Sequence, residues 1–485
     1  MIEKSPLGDL YQKSIVKPEL SIIDANKILE NSNLGMLFVL DGKKLIGCLT
    51  AGDIRRSLIA GTTSANAVTN AMNTDFRFVT LDSSPTEIHN SFSAGVNLVP
   101  VLDKDGNLID LLKRDSHTFI PLSEPNIGPL EKQLVNETLD SNWISSTGNF
   151  VSEFESRFAE YIGSPNCITV SNGTVGLVLA LKALGVGPGD EVIVPSLTFG
   201  ATANAVLQVG AKPIFVDVDC ETWCLDSGLI ELSITKLTKA IMPVHLYGHS
   251  ADIDGIKEII GSRNIVIIED AAEAIGTKYK GKLVGSMCDA AVFSFFANKT
   301  ITTGEGGMVS FKSSEIAANA RRMRSHGFSP ERRYEHDIWG TNFRLTNMQA
   351  ALGVAQLGRV EGLVEKKKLI ADWYQSTFDQ LGIEGVELPP NMGWNESTFW
   401  LYTILLPNGI QPDLLVAFLQ SKKIESRRVF APLHRQEYFL NYSSEKDFSN
   451  SENVYSRGIS LPSSTNLEKK HIEKVCYAIH EFINK

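Results

Sequence analysis

Five short and almost wholly apolar runs dominate the sequence from residue 136 to about 300: EVIVPSL, AKPIFVDVD, AIMPVHLYG, NIVIIEDAA and DAAVFSF. Helical runs such as TVGLVLALKAL and ADIDGIKEII lie between them. Strands without a polar alternate face are buried on both sides, and strands separated by helices pair in parallel. The pattern confines this region to an α/β fold, with helices on both faces of a mostly parallel sheet. Hydrophobic residues are 43% of the 485, enough for such a core. At roughly 150 residues per domain there is room for about three domains.

The first 118 residues carry an internal repeat. LSIIDANKILENSNLGMLFVLDGKKLIGCLTAGDIRRSL and VTLDSSPTEIHNSFSAGVNLVPVLDKDGNLIDLLKRD each read as a strand, a helix and a strand pair. The pair is joined at Asp41-Gly42 in one copy and Asp105-Gly106 in the other, a hairpin signal. Val39 and Val101 hold equivalent places, so the period is about 60 residues. Residues 119–135 (FIPLSEPNIGPLEKQLV) begin rich in Pro, Ser and Gly, then turn helical, and read as linker and entry to the second unit. The large α/β domain is expected over 136–364 and a smaller α+β domain over 365–485.

A net charge of -10 argues against nucleic acid or an anionic membrane as main partner. The N-terminus has no apolar signal core, and no run approaches about 18 apolar residues. The expectation is a cytoplasmic protein with no membrane insertion. Cys48, Cys167, Cys220, Cys224, Cys288 and Cys476 are scattered without a C-x-x-C pair. They read as reduced, mostly buried thiols, and no metal site is expected.

Three segments carry chemistry. In SNGTVGLVLALKAL, Ser171 to Thr174 precede a helix whose free N–H groups suit a phosphate. An ordinary cap, with Thr174 in that role, is the competing reading. In NIVIIEDAAEAIG, Glu269 and Asp270 stand at the C-terminal end of a strand, where parallel sheets bind ligands. Glu273 shares their face if a helical turn begins there; for Glu269 a capping acid is the better reading. In DAAVFSFFANKTITTGEGGMVSF, Ser294 and Lys299 precede a glycine-rich stretch over 302–307. Lys299 sits among aromatic and small residues, with Asp289 and Glu305 as its nearby charges in sequence. A partly desolvated lysine has a lowered pKa and serves as a Schiff-base nucleophile.

In this order, and with PSLTFGATANAV, RSHG, GTNFRLTNMQAALG and GISLPSS, these segments resemble the DegT/DnrJ/EryC1/StrS family over roughly 125–485. Its members are sugar aminotransferases of fold type I that use pyridoxal 5'-phosphate (PLP). Within the family, FSFFANKTITTGEGGM is most similar to the GDP-perosamine synthases; many relatives carry His where this chain has Phe296. The resemblance implies that Lys299 binds PLP as a Schiff base and later moves the proton. It implies that Asp270 pairs with the pyridine nitrogen, which an ionised acid keeps protonated. Glu273 would lie near the ring hydroxyl, Phe199 would stack on the ring, and Gly173, Thr174 and Ser294 would hold the phosphate. Asn342 would reach the cofactor phosphate of a neighbouring subunit, making a homodimer or larger homo-oligomer the active unit. His326, Arg344, Trp400, Tyr402 and Arg427 are candidates for the sugar-nucleotide pocket.

The implied reaction moves an amino group from L-glutamate to a nucleotide-linked keto-sugar. GDP-4-keto-6-deoxymannose is the favoured acceptor and GDP-perosamine the product, for surface polysaccharide such as O-antigen. Two alternatives remain. One is a PLP- or pyridoxamine-phosphate-dependent sugar dehydratase; in the 3-dehydratases of the family the lysine is a histidine, so Lys299 stands against it. The other is a non-catalytic nucleotide-sensing scaffold, against which Asp270, Ser294 and Lys299 stand together.

The region 1–118 resembles a pair of CBS repeats, small α+β modules that often bind adenine nucleotides. There a Thr or Ser, and an Asp three residues on, contact the ribose. Thr50 and Asp53, after Gly47, match in the first repeat. Lys113 and Ser116 stand at those places in the second, which reads as degenerate. A structural or dimer-forming module without a ligand is the competing reading.

Overall fold

The structure, a computed structural model, describes residues 13–484 except 31, 33, 84, 93–95, 97, 114–118, 333 and 444–445. The chain divides into two compact units, Met1–Phe119 and Ile120–Lys485.

The first unit is built twice on one plan. Strands β1 (Ile15–Val16), β2 (Leu37–Asp41) and β3 (Lys44–Leu49) form one sheet, β1 parallel to β2 and β2 antiparallel to β3. Strands β4 (Val79–Thr80), β5 (Leu98–Leu102) and β6 (Leu108–Lys113) repeat that order and those directions. A helix joins the first two strands of each copy, Ile22–Glu30 and Pro85–Ser91. Gly42 and Gly106 turn the hairpins at φ of 63° and 83°, a region that favours glycine. Phe38 and Leu45 of one sheet pack with Leu98 and Leu111 of the other, so the repeats share a core.

In the second unit seven strands form the main sheet: β7 (Cys167–Val170), β8 (Glu191–Pro195), β9 (Lys212–Val216), β10 (Thr238–Ile241), β11 (Val266–Asp270), β12 (Ala290–Ser294) and β13 (Gly307–Phe311). Their order is β7-β13-β12-β11-β10-β8-β9. Only β13 runs against the rest. Successive strand residues point to opposite faces. Ile193, Ile241, Ile267 and Phe293 enter one core with Phe154 and Phe158. Val192, Val194, Ala240, Ile268 and Val292 enter the other, with Leu177 and Leu181. Two covered faces explain why these strands read as unbroken apolar runs.

The smaller layer holds the antiparallel strands β14 (Tyr402–Leu405), β15 (Arg427–Arg428) and β16 (Gly458–Leu461), with β16 in the middle. Helices Pro412–Ser421 and Lys469–Ile483 accompany them. The expected boundary at 364/365 falls inside one helix, Val360–Leu381. Its first turn (Val360, Leu363, Val364) packs in the sheet core, and Ile370, Tyr374 and Phe378 pack in the smaller core.

The expected linker over 119–135 belongs to the second unit's framework. Ile120 exchanges both backbone hydrogen bonds with 423–425, at 2.9 Å each. The Leu122 N–H donates to Glu425 Oε2 at 2.9 Å. Residues Pro129–Asp140 are a helix in which buried Glu131 meets Gln356 at 2.6 Å and Arg359 at 2.7 Å. Proline and glycine gave that segment its linker look, but Pro129 is the first helical residue and Gly128 its cap. No helix of the described residues is long and apolar enough to cross a membrane.

Candidate active site

The C-terminal ends of β8, β11 and β12 and the start of helix Gly173–Ala183 open onto one cavity of about 520 Å³. Gly173, Thr174, Phe199, Asp270, Glu273, Ser294 and Lys299, seven expected site residues, line it together. Trp400 and Arg427 line it as well.

Asp270 ends β11 and is 5% exposed. Its Oδ2 accepts from Thr202 Oγ1 at 2.8 Å and its Oδ1 from the Ala272 N–H at 3.3 Å. Burial raises its pKa, opposed by Thr202, Ala272 and Lys299. Glu273 Oε2 accepts from the Tyr247 N–H at 2.8 Å, and burial raises this acid too. Tyr247 presents that N–H from a left-handed turn at φ 52°, a strained conformation for a non-glycine residue. Lys299 lies on the loop that returns from β12, its N–H donating to Phe296 O at 2.9 Å. Its Nζ is 3.7 Å from Glu273 Oε1 and 3.7 Å from the centroid of the Trp400 ring. Burial lowers its pKa, with Glu273 and Asp270 pulling the other way. The result is an amine and two carboxyls that burial drives toward their neutral forms.

Glu269 lies behind this group. It is fully buried and bonded to His245 Nε2 at 3.1 Å and to the Gly285 N–H at 2.9 Å. The Ala251 N–H donates to His245 Nδ1, which fixes the ring proton on Nε2. Glu269 is therefore a buried structural acid, neither a cap nor a cavity group. Asn172, not Thr174, caps helix Gly173–Ala183 through the Val175 N–H. This leaves the Gly173–Thr174 end of the helix facing the cavity. A Cβ on Gly173 would lie 3.2 Å from Ser294 Cβ, a tight approach that the strand would have to yield to.

Several expected residues lie elsewhere. Tyr402 is 2% exposed in the smaller core, its ring stacked on Tyr374 at 4.4 Å. This corrects its assignment to the pocket. Trp400 and Tyr402 would share a face in a regular strand, but Phe399 turns at φ 47° and the strand starts only at Tyr402. His326, Arg344 and Asn342 are absent from the cavity wall. Asn342 is exposed, its Oδ1 accepting from the Arg344 N–H at 3.3 Å. Thr202, Tyr247, Asn298 and Phe430 were not foreseen. Thr202 was within PSLTFGATANAV, one turn after Phe199; Phe430, 5.7 Å from Phe199, had no sequence signal.

In the first unit, Thr50 caps helix Ala51–Ile59 and closes a capping box with Asp53. Thr50 Oγ1 donates to Asp53 Oδ2 at 2.6 Å, and Asp53 Oδ1 pairs with Arg56 at 2.5 Å. Both residues are thus engaged within the helix end. A Cβ on Gly47 would lie 2.5 Å from Met72 Sδ. Ser116 lies outside the described residues.

The model of the DegT/DnrJ/EryC1/StrS aminotransferase family matches residues 125–480. The chain belongs to that family. The CBS domain model matches residues 11–60. GDP-perosamine synthase of Escherichia coli O157:H7 is 44% identical over 364 residues, covering 75% of this chain and 98% of that protein. GDP-perosamine synthase of Vibrio cholerae is 39% identical, covering 76% and 100%. Among solved structures, the aminotransferase TlmJ of Streptoalloteichus hindustanus superposes with a TM-score of 0.71 at 29% identity, covering 75% and 99%. The fold is that of the type I PLP enzymes, as expected. The protein is a PLP-dependent aminotransferase. Its cavity suits the cofactor: a buried acid for the ring nitrogen, a desolvated amine for the aldehyde, and a glycine-cleared helix end for the phosphate.

Proposed function

We propose that the chain transfers an amino group from L-glutamate to GDP-4-keto-6-deoxymannose, giving GDP-perosamine for surface polysaccharide synthesis. The observation that carries the acceptor is the 44% identity, over almost the whole length of the relative, to an enzyme named for that product. Bound PLP supplies the aldehyde that takes up the amino group and the ring that draws off electrons.

In this reading Lys299 Nζ holds the cofactor. Once the donor has displaced it, Lys299 Nζ carries the proton between the donor's α-carbon and the aldehyde carbon. Burial suits it to that work by favouring the free amine. Asp270 faces the ring nitrogen, and Thr202 holds its carboxylate toward the ionised form. Gly173, Thr174 and Ser294 take the phosphate, while Glu273 stands near the ring hydroxyl. Phe199, 61% exposed at the mouth, covers the ring, and Trp400 and Arg427 meet the sugar nucleotide. Asn342, exposed in the single chain, reaches the cofactor of a second copy, so the active form is a cytoplasmic homodimer or larger homo-oligomer.

An absorbance spectrum before and after L-glutamate tests the first half of this reading. Wild type should lose its visible cofactor band on adding glutamate, and Lys299→Ala should lack the lysine-bound band. Turnover of GDP-4-keto-6-deoxymannose then tests the acceptor. A band indifferent to glutamate refutes the donor, and turnover of other keto-sugar nucleotides alone refutes the acceptor. For the first unit, adenine-nucleotide binding at Thr50 and Asp53 requires Asp53 to release Arg56. Calorimetric uptake of ATP or AMP that Asp53→Ala abolishes supports that role; absence of heat with folded wild type refutes it.

A further inference from the structure

Lys367 is a buried cation that the catalytic reading does not use. It lies in helix Val360–Leu381 and is 2% exposed. No acidic side chain pairs with it among the described residues. Its Nζ donates instead to two backbone carbonyls, Trp400 O at 2.8 Å and Ser463 O at 2.6 Å. Burying a lysine without a counter-charge is expensive, so its retention asks for a reason.

The reason lies in what Trp400 does. Its ring stands 3.7 Å from Lys299 Nζ, centroid to nitrogen. Its Nε1–H donates at 2.8 Å to the carbonyl of Asn298, the residue before Lys299. The backbone of Trp400 is thus gripped from behind by one lysine while its indole covers another. We propose that Lys367 is a positioning residue for Lys299: it holds the Trp400 indole over the Lys299 amine, and its own charge belongs to that hold. The inference rests on Lys299 being the cofactor lysine.

The electrostatics agree. Burial first, and then Lys299, bring the pKa of Lys367 down to about 7. Lys299 is the charged group that faces it; Lys299 in turn faces Glu273, Asp270 and Arg427. Tyr374, about two turns along the same helix, and Tyr402, on the strand after Trp400, are held neutral by burial. A charged Lys367 gives its two carbonyl bonds about twice the strength of neutral ones. Lys299 in turn helps to hold the pKa of Lys367 down, so the state of one amine bears on the other.

The test follows capture of PLP by apoprotein, in which Lys299 Nζ adds to the aldehyde carbon and the carbonyl oxygen leaves as water. Lys299→Ala serves as control: if it captures PLP as wild type does, the reading of Lys299 fails before Lys367 is at issue. With that control passed, the wild-type capture rate should show an inflection near pH 7 besides that of Lys299. Lys367→Met should lose this inflection and move the Lys299 midpoint upward by about one unit, because the indole cover that keeps water from the amine is loosened. Capture at pH 7 should then be about tenfold slower. A variant that is less heat-stable yet keeps the wild-type profile makes Lys367 merely structural and overturns the proposal. Should Lys367→Met not fold, tryptophan fluorescence of the apoprotein decides. A change centred near pH 7 in wild type and absent from Trp400→Phe supports the proposal, and any other pattern overturns it.

Discussion

Thr202→Val removes a hydroxyl that bonds Asp270 Oδ2 and also, at 3.1 Å, Thr198 Oγ1; only the first of these bonds depends on the charge of Asp270. The Thr202 hydroxyl is 1% exposed and donates to Asp270 Oδ2 at 2.8 Å; valine keeps its shape and removes the donor. A hydrogen bond to a charged group is worth about 1.5–3 kcal/mol, or about one to two pKa units. Thr202 holds the Asp270 pKa down against burial, so its loss moves that pKa up. The acid limb of kcat/KM against pH should therefore shift upward by about one to two units, with the alkaline limb unchanged. The apoprotein gives a second readout. A carboxyl whose folded pKa lies above its unfolded value stabilises the fold only at low pH, and that contribution is lost as pH rises through the folded pKa. The melting difference between wild type and variant should thus be small below about pH 4, the unfolded carboxyl range, and widen toward neutrality. An unmoved acid limb together with a pH-independent melting difference would refute the assignment of Thr202 to the charge state of Asp270.

Glu155→Gln should lower stability by about 3–5 kcal/mol in chemical unfolding. It takes the counter-charge from Arg324, 8% exposed, whose guanidinium meets Glu155 at 2.8 Å and otherwise bonds only the neutral oxygens of Thr169 among the described residues. Tyr402→Phe should leave KM unchanged and not lower the melting temperature, since the hydroxyl has no hydrogen-bond partner among the described residues and the stack on Tyr374 survives. Gly173→Ala puts a methyl 3.2 Å from Ser294 Cβ at the phosphate end; overpacking of about 1–3 kcal/mol should weaken PLP retention roughly tenfold in equilibrium dialysis.

The sheet was legible because both its faces are covered, which writes each strand as an uninterrupted apolar run. Asp270, Ser294 and Lys299 were legible because they sit at or just beyond strand ends, where the apolar run stops. The repeat in the first unit was legible from its paired Asp-Gly turns. What the sequence hid were consequences of backbone direction. The left-handed turn at Phe399 swings Trp400 into the cavity and leaves Tyr402 in the core, although their spacing suggests a shared face. Tyr247 likewise reaches Glu273 only through its left-handed turn. The helical end of residues 119–135 was legible, but its start looked like a linker because helix-starting proline and capping glycine have the composition of loose chain. Phe430 was invisible because a lone aromatic carries no periodic signal.

The segment at the start of the second unit is tied to a residue that lines the cavity, Asn298. Ile120 is bonded to 423–425, the Ser463 N–H donates to Leu122 O at 2.7 Å, and Ser123 Oγ donates to Asn298 O at 3.0 Å. That last carbonyl also takes the Trp400 indole N–H, one residue before Lys299. The peptide that opens the second unit is therefore a strap knotted to Asn298, the residue before Lys299. A truncated enzyme that starts at residue 124 loses that knot, while one that starts at 119 keeps it. Comparing the two separates the service of the strap from the service of the unit it joins.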